Sequence, residues 1–228
     1  MQLKISVLIF FLWGMSVVTF ARESEPVDLG KIVISASRMA QHDYKVASNV
    51  SVIGKDALED TMAQSINEIL SRELGVNVYA TGTGKNATID IRGFGDTANR
   101  NILVLVNDRK VNSIDMSGPD LLQVPLQSVE RIEIIRGAGS VLYGDNAVGG
   151  VVNIITKKGR GDFSGQVGIS GGSYDSGGPD LEVSGEHKGI SYYLFSRYYD
   201  FGGYRSNSDI LTKDFNTRAG YRLSLIHI

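Results

Sequence analysis

The 228-residue sequence has no cysteine, which excludes a disulfide framework, a thiolate nucleophile and any Cys-ligated metal. Histidine is scarce. Only His42, His187 and His227 occur, too scattered for a His-based metal centre or a Ser/His/Asp constellation. An excess of one charge is also missing. Lys+Arg 23 against Asp+Glu 25 leaves a formal net charge of −2, which gives no electrostatic footprint for nucleic acid. Motifs that carry phosphate or dinucleotide chemistry fail on inspection. Gly82-Thr83-Gly84-Lys85-Asn86 lacks the Gly five residues before Gly84, where Tyr79 stands, and the hydroxyl residue after Lys85. Gly137-Ala138-Gly139 opens a dinucleotide pattern that Leu142 ends. Asp108, Asp115 and Asp120 fit no calcium-loop spacing. No catalytic residue, metal or cofactor is therefore expected. What is present is 42% hydrophobic residues, enough for a packed core.

The first 21 residues, MQLKISVLIFFLWGMSVVTFA, carry one charge, Lys4, then an apolar run, then Thr19 and Ala21 at positions suited to cleavage. This is a secretory signal pattern. An N-terminal membrane anchor is the competing reading, and the polar ARESEP that follows favours cleavage. Its removal takes only Lys4, changing the formal charge from −2 to −3. Residues 22–45 read as a flexible N-terminus holding one β-prone run, Lys31, Ile32, Val33, Ile34, Ser35 and Ala36. Such a run can add as a strand to a partner's sheet edge, or serve as the first strand of the domain.

Residues 46–158 read as a small α+β unit. Strands are expected at Val46–Ile53, Val76–Tyr79, Thr88–Arg92 and Ile102–Val106. A two-piece helix is expected over Lys55–Leu74, with Ser65 capping the second piece, Glu68 three residues on and Gly75 at its stop. The segments 81–87, 94–101 and 112–119 read as polar loops. The stretch Ser128–Lys158 reads as two β-branched strands around a turn region with glycines at 137, 139, 144, 149 and 150. Glu133 and Arg136 interrupt apolar residues there, and Arg92 repeats the Ile-Arg-Gly context of Arg136. Buried charges need partners, so the arginines are either exposed strand ends or members of ion pairs.

After Gly161 the pattern changes. Gln166–Gly171, Asp180–His187, Ile190–Phe201 and Phe215–Leu225 alternate with period two. The alternation suits the first strands of an outer-membrane β-barrel, with Tyr192, Tyr193, Tyr198, Tyr199 and Tyr204 as a candidate aromatic girdle; a soluble antiparallel sheet is the alternative.

Taken in order, VERIEIIRG, SVLYG and AVGGVVNIITK within 128–158, Ile91-Arg92-Gly93 and ILVLVNDRK at 102–110 resemble the plug of TonB-dependent outer-membrane receptors, most closely those for cobalamin and siderophores. One departure is Arg109, where the family carries Gly after Asp108. The resemblance implies an α+β plug, a mixed small sheet with short helices, followed at 159–228 by the first antiparallel strands of a transmembrane β-barrel of about 22 strands. It implies energy-coupled uptake of a metal chelate or cobalamin across the outer membrane, in contact with its lipid. Lys31–Ala36 would be the box that binds TonB by strand addition. Arg92 and Arg136 would pair with carboxylates on the barrel wall. Ligand candidates are Gly82, Thr83, Gly84, Lys85 and Asn86, with Asn112, Ser113, Asp115, Met116 and Ser117. Only four alternating segments follow the plug, so the resemblance implies a chain that stops short of its barrel, Leu223–Ile228 being a non-native tail. A soluble periplasmic binding or signalling module using the plug alone is the alternative.

Overall fold

In the computed structural model the residues described are 49–80, 86–203 and 206–222, with the backbone alone of 32–33 and 41–42. The leader expected at 1–21, Gly82–Lys85, Tyr204 and Leu223–Ile228 lie outside them. Among the described residues no helix is long and apolar enough to cross a membrane, which leaves crossing by strands untouched.

The N-terminal domain is built on a five-stranded mixed sheet. Its strands are β3 (Asn49–Ile53), β6 (Ile102–Val106), β7 (Arg109–Lys110), β8 (Val129–Arg136) and β9 (Gly150–Thr156), in the order β3-β8-β9-β6-β7. β6 and β9 are parallel; the other pairs are antiparallel. The β-branched runs are buried on both faces, as a parallel pair requires. One face presents Ile132, Ile134, Val152, Ile154, Ile102 and Val104 to two short helices, α1 (Lys55–Glu59) and α2 (Ile66–Ser71), and to the hairpin β4 (Val76–Ala80) and β5 (Ala87–Ile91). The other face packs Val50, Leu103, Leu105, Ile135 and Val151 with Ala147 and Tyr143.

The two-piece helix forms as its residues dictate. Ser65 Oγ accepts from the Glu68 amide at 3.4 Å, and Glu68 reaches back to the Gln64 amide at 3.0 Å. The turn Asn107-Asp108 has φ of 49° and 64°, the twist that a two-residue hairpin between β6 and β7 needs. The segment 94–101 departs from its expected loop. It is a 3-10 turn, Gly95–Thr97, running into one α-turn, α3 (Ala98–Asn101). The cause lies upstream: buried Asp90 accepts from the amides of Phe94 at 2.8 Å and Gly95 at 3.0 Å and so nucleates the turn. A second short turn, α4 (Ser140–Tyr143), lies between β8 and β9.

Four antiparallel strands follow: β10 (Ser164–Gly172), β11 (Ser176–His187), β12 (Ile190–Phe201) and β13 (Ile210–Tyr221), in sequence order. Their registers sort the side chains onto two faces. Val167, Leu181, Val183, Leu194 and Phe215 share one face. Glu182, Tyr193, Phe195, Arg197, Asp214, Asn216 and Arg218 share the other. The second face meets the N-terminal domain: Arg197 and Arg218 donate to Gln127 and Thr156. The first is left open, with Ile169 88% and Phe215 71% exposed. Apolar outside and polar inside inverts the pattern of a soluble sheet. Adjacent tyrosines fall on opposite faces for the same reason, so the described ones form no single girdle: Tyr193 is buried against the domain and Tyr198 faces outward.

Candidate functional site

A strand and two polar loops converge on Asn99, a residue the motif reading passed over. From α3 its Nδ2 donates to Thr88 Oγ1 at 3.1 Å and to the Met116 carbonyl at 3.0 Å. Its own carbonyl accepts from Asn112 Nδ2 and Asn146 Nδ2, both at 3.2 Å. One residue thus joins β5, the loop 112–119, the start of that loop after β7, and the segment following α4. The loops also touch through backbone. A Cβ at Gly118 would lie 2.1 Å from the Ala87 carbonyl oxygen, so only glycine lets them approach.

The candidate ligand residues separate by what they already bind. Both Asn112 amide hydrogens are committed, to the carbonyls of Asn99 and of Ile102 (2.8 Å), while its oxygen accepts from the Val104 amide at 2.7 Å. Asn112 is therefore a splice between loop and β6. Ser113, Asp115 and Met116 are exposed, as is Asn86, and Ile114 at the loop tip is 103% exposed. Asp115 Oδ1 accepts from the Ser117 hydroxyl at 2.7 Å and the Ser117 amide at 3.1 Å. These two bonds, the hydroxyl's first, hold the Asp115 carboxyl below its ordinary 3.8. Arg100 Nε contacts Met116 Sδ, and Met116 takes φ of 66°. The exposed apex thus offers hydroxyls, amides and two apolar tips. Among the described residues no group of three or more His, Asp and Glu is arranged to hold a metal ion.

Arg136 corrects an expectation. Its carboxylate partner is inside the domain: Nη2 meets Glu73 Oε1 at 2.8 Å and the Leu74 carbonyl at 2.8 Å, and Nη1 donates to Ser51 Oγ at 2.6 Å. The fold explains this. Register sets Asn49 opposite Arg136, and Gly75, at φ of 73°, turns the chain after α2 so that Glu73 and the Leu74 carbonyl face the guanidinium. Arg92 differs. It adopts φ of 72°, is exposed, and donates to the Arg136 carbonyl at 3.4 Å; among the described residues no carboxylate lies within ion-pair distance of it. Glu133, the other awkward charge, is fully buried and paired with Arg131 Nε at 2.8 Å.

Of the expected box, Ile32 and Val33 form a short strand, β1 (Ile32–Val33), paired antiparallel with β2 (Gln41–His42) and not with the five-stranded sheet. Lys31, Ile34, Ser35 and Ala36 lie outside the described residues.

The family model for the TonB-dependent Receptor Plug Domain matches residues 42–151. These residues belong to the plug-domain family of the TonB-dependent receptors. The Vitamin B12 transporter BtuB of Photobacterium profundum is 37% identical over 162 residues, across 70% of this chain and 26% of that protein. The siderophore receptor PirA of Acinetobacter baumannii shares the fold with a TM-score of 0.60 and 28% identity, over 78% of this chain and 30% of that one. The ferripyoverdine receptor of the outer membrane of Pseudomonas aeruginosa matches in fold with a TM-score of 0.72 at 18% identity, over 86% and 26% of the two chains. This chain thus spans about a quarter of the length of the B12 transporter it matches. In receptor terms the five-stranded domain is the plug and the four antiparallel strands begin a wall, which is not closed among the described residues. Plug and wall are tied by charge: Lys157 Nζ meets Glu182 Oε2 at 2.9 Å, and Tyr193 donates its hydroxyl to the same oxygen at 3.3 Å.

Proposed function

We propose that this chain supplies the plug and the first wall strands of an outer-membrane receptor for energy-coupled uptake of cobalamin or a chelated metal. The observation that carries the reading is the pairing of an Asn99-centred loop apex with a wall sheet that is apolar outward and polar toward the plug. In this reading residues 1–21 direct export, 22–45 carry the TonB-binding box at Lys31–Ala36, 46–158 form the plug and 159–228 begin the barrel in contact with outer-membrane lipid. Ligand meets Asn86, Ser113, Asp115, Met116 and Ser117 at the apex, and Gly82, Thr83, Gly84 and Lys85 remain ligand candidates from the sequence. The family is one of receptors and transporters, and enzyme chemistry has no part in the reading. The soluble periplasmic module is disfavoured by the exposed apolar face carrying Ile169 and Phe215.

The test is growth of a receptor-deficient, TonB-positive host expressing the intact gene that encodes this chain, limited in turn for cobalamin and for iron supplied as a ferric chelate. Rescue under one limitation, abolished by deleting TonB, is expected. Rescue under neither would reject the reading. Ile34→Pro removes a donor from the proposed box strand and should abolish the TonB-dependent rescue while leaving ligand binding to isolated outer membranes intact.

A further inference from the structure

The plug's last strand leaves the sheet through the segment 156–160, and two wall strands grip it there. Arg218 on β13 reaches inward. Its Nη1 donates to the Thr156 carbonyl at 2.8 Å, to Asn107 Oδ1 at 3.2 Å and to Thr156 Oγ1 at 3.4 Å. Asn107, in the β6–β7 turn, closes the arrangement. Its Oδ1 accepts from the Thr156 amide at 3.0 Å, and its Nδ2 donates to Thr156 Oγ1 at 2.8 Å. Lys157, the next residue, is held by Glu182 on β11. Gly159 then passes so close to the wall that a Cβ would lie 2.1 Å from the Tyr192 carbonyl oxygen and 2.2 Å from that of Gly185. Arg160 returns to the plug, its Nη2 meeting Glu130 Oε1 at 3.0 Å.

We infer that Asn107, Thr156 and Arg218 form a clasp that fixes the seat of the plug against the wall, with Arg218 as its positioning residue. Three features carry this. Thr156 is almost fully buried, so its polar atoms depend on these partners. Asn107 takes a left-handed φ of 49°, which aims its side chain away from its own hairpin and back at β9. Arg218 is a wall residue whose bonds to the plug fall on the strand that leads out of it. The clasp thereby couples the β6–β7 turn, the end of β9 and β13. This coupling is a matter of geometry and stands apart from the identity of any ligand.

The experiment uses the chain refolded in detergent micelles, comparing wild type with Arg218→Ala, Arg218→Lys, Asn107→Ala and the Asn107→Ala/Arg218→Ala double variant. Arg222→Ala serves as a control, since Arg222, one residue past β13, is largely exposed and pairs with Glu186 of β11 rather than with Asn107 or Thr156. Trypsin cleavage after Lys157, Lys158 and Arg160 is timed by mass spectrometry. Arg218→Ala should accelerate cleavage about tenfold or more, the range expected when charged hydrogen bonds are lost. Arg218→Lys should restore part of the protection, and Arg222→Ala should leave the rate unchanged. The double variant should be less affected than the product of the two single effects. Amide exchange at Ile132–Ile135, in the plug core, should stay at its wild-type rate throughout. Wild-type cleavage in Arg218→Ala, or independent effects of the two single variants, would overturn the clasp. So would loss of protection at Ile132–Ile135, which would assign Arg218 to general stability.

Discussion

At the scale of single residues, the apex is ordered by side chains that bind each other before they bind anything else. Asn99→Ala removes two donated hydrogen bonds, leaving the Met116 carbonyl and Thr88 hydroxyl to water at about 1 kcal/mol each. Amide exchange in 113–118 should rise about tenfold, and ligand affinity in the full receptor should fall with it, while exchange in β8 is unchanged. Asp115 gives a prediction in pH. Its folded carboxyl lies below 3.8 because Ser117 bonds the ionised form, so this support for the turn is complete above the unfolded value and is lost as pH falls through the lower, folded one. Ser117→Ala removes the larger of the two causes. NMR titration of Asp115 should then give a value closer to 3.8; an unchanged value would show that the hydroxyl plays no part.

At the scale of elements, strands were legible and their ties were not. The runs at 102–106, 129–136 and 150–156 declare themselves because β-branched residues are packed on both faces, and Ser65 with Glu68 marks the helix start by local chemistry alone. The turn over 95–101 could not be read from GDTANRN, which has no apolar period; Asp90, in the preceding strand, decides it. The partner of Arg136 was out of reach for a related reason, since Glu73 stands 63 residues away and meets it only once β3, α2 and β8 have assembled. Asn99 carries no motif at all, and its importance is created by the three segments folded around it. The Arg136 arrangement makes a prediction about an element. β3 is an edge strand, and Arg136 fastens its start through Ser51 and the α2–β4 turn through Glu73 and the Leu74 carbonyl. Arg136→Ala should cost about 2–3 kcal/mol, read as a lower thermal midpoint, with the earliest exchange at 49–53 and 73–76. Glu73→Gln should cost less, because the amide oxygen still accepts. Equal exchange across the plug in Arg136→Ala would refute a local role.

At the scale of the whole molecule, the decisive pattern is which way the four-stranded sheet faces. A soluble sheet would turn Val167, Leu181, Leu194 and Phe215 toward the plug. The registers turn them outward and send Glu182, Arg197, Asp214, Asn216 and Arg218 inward, where Lys157, Gln127 and Thr156 answer them. Water is a poor solvent for that outer face, and an acyl layer is a good one. The chain should therefore associate when detergent is removed and float with phospholipid vesicles in a density gradient. Phe215→Lys places a charge on the outer face, which costs about 2–4 kcal/mol near a bilayer midplane and about 0–1 near its surface. Thr212→Lys adds the same charge on the inward face of the same strand. The first should reduce flotation and the second should not. Equal flotation of both variants, or a chain that remains monomeric and soluble without detergent, would mean that the outer face meets water, and the periplasmic reading would replace the membrane one.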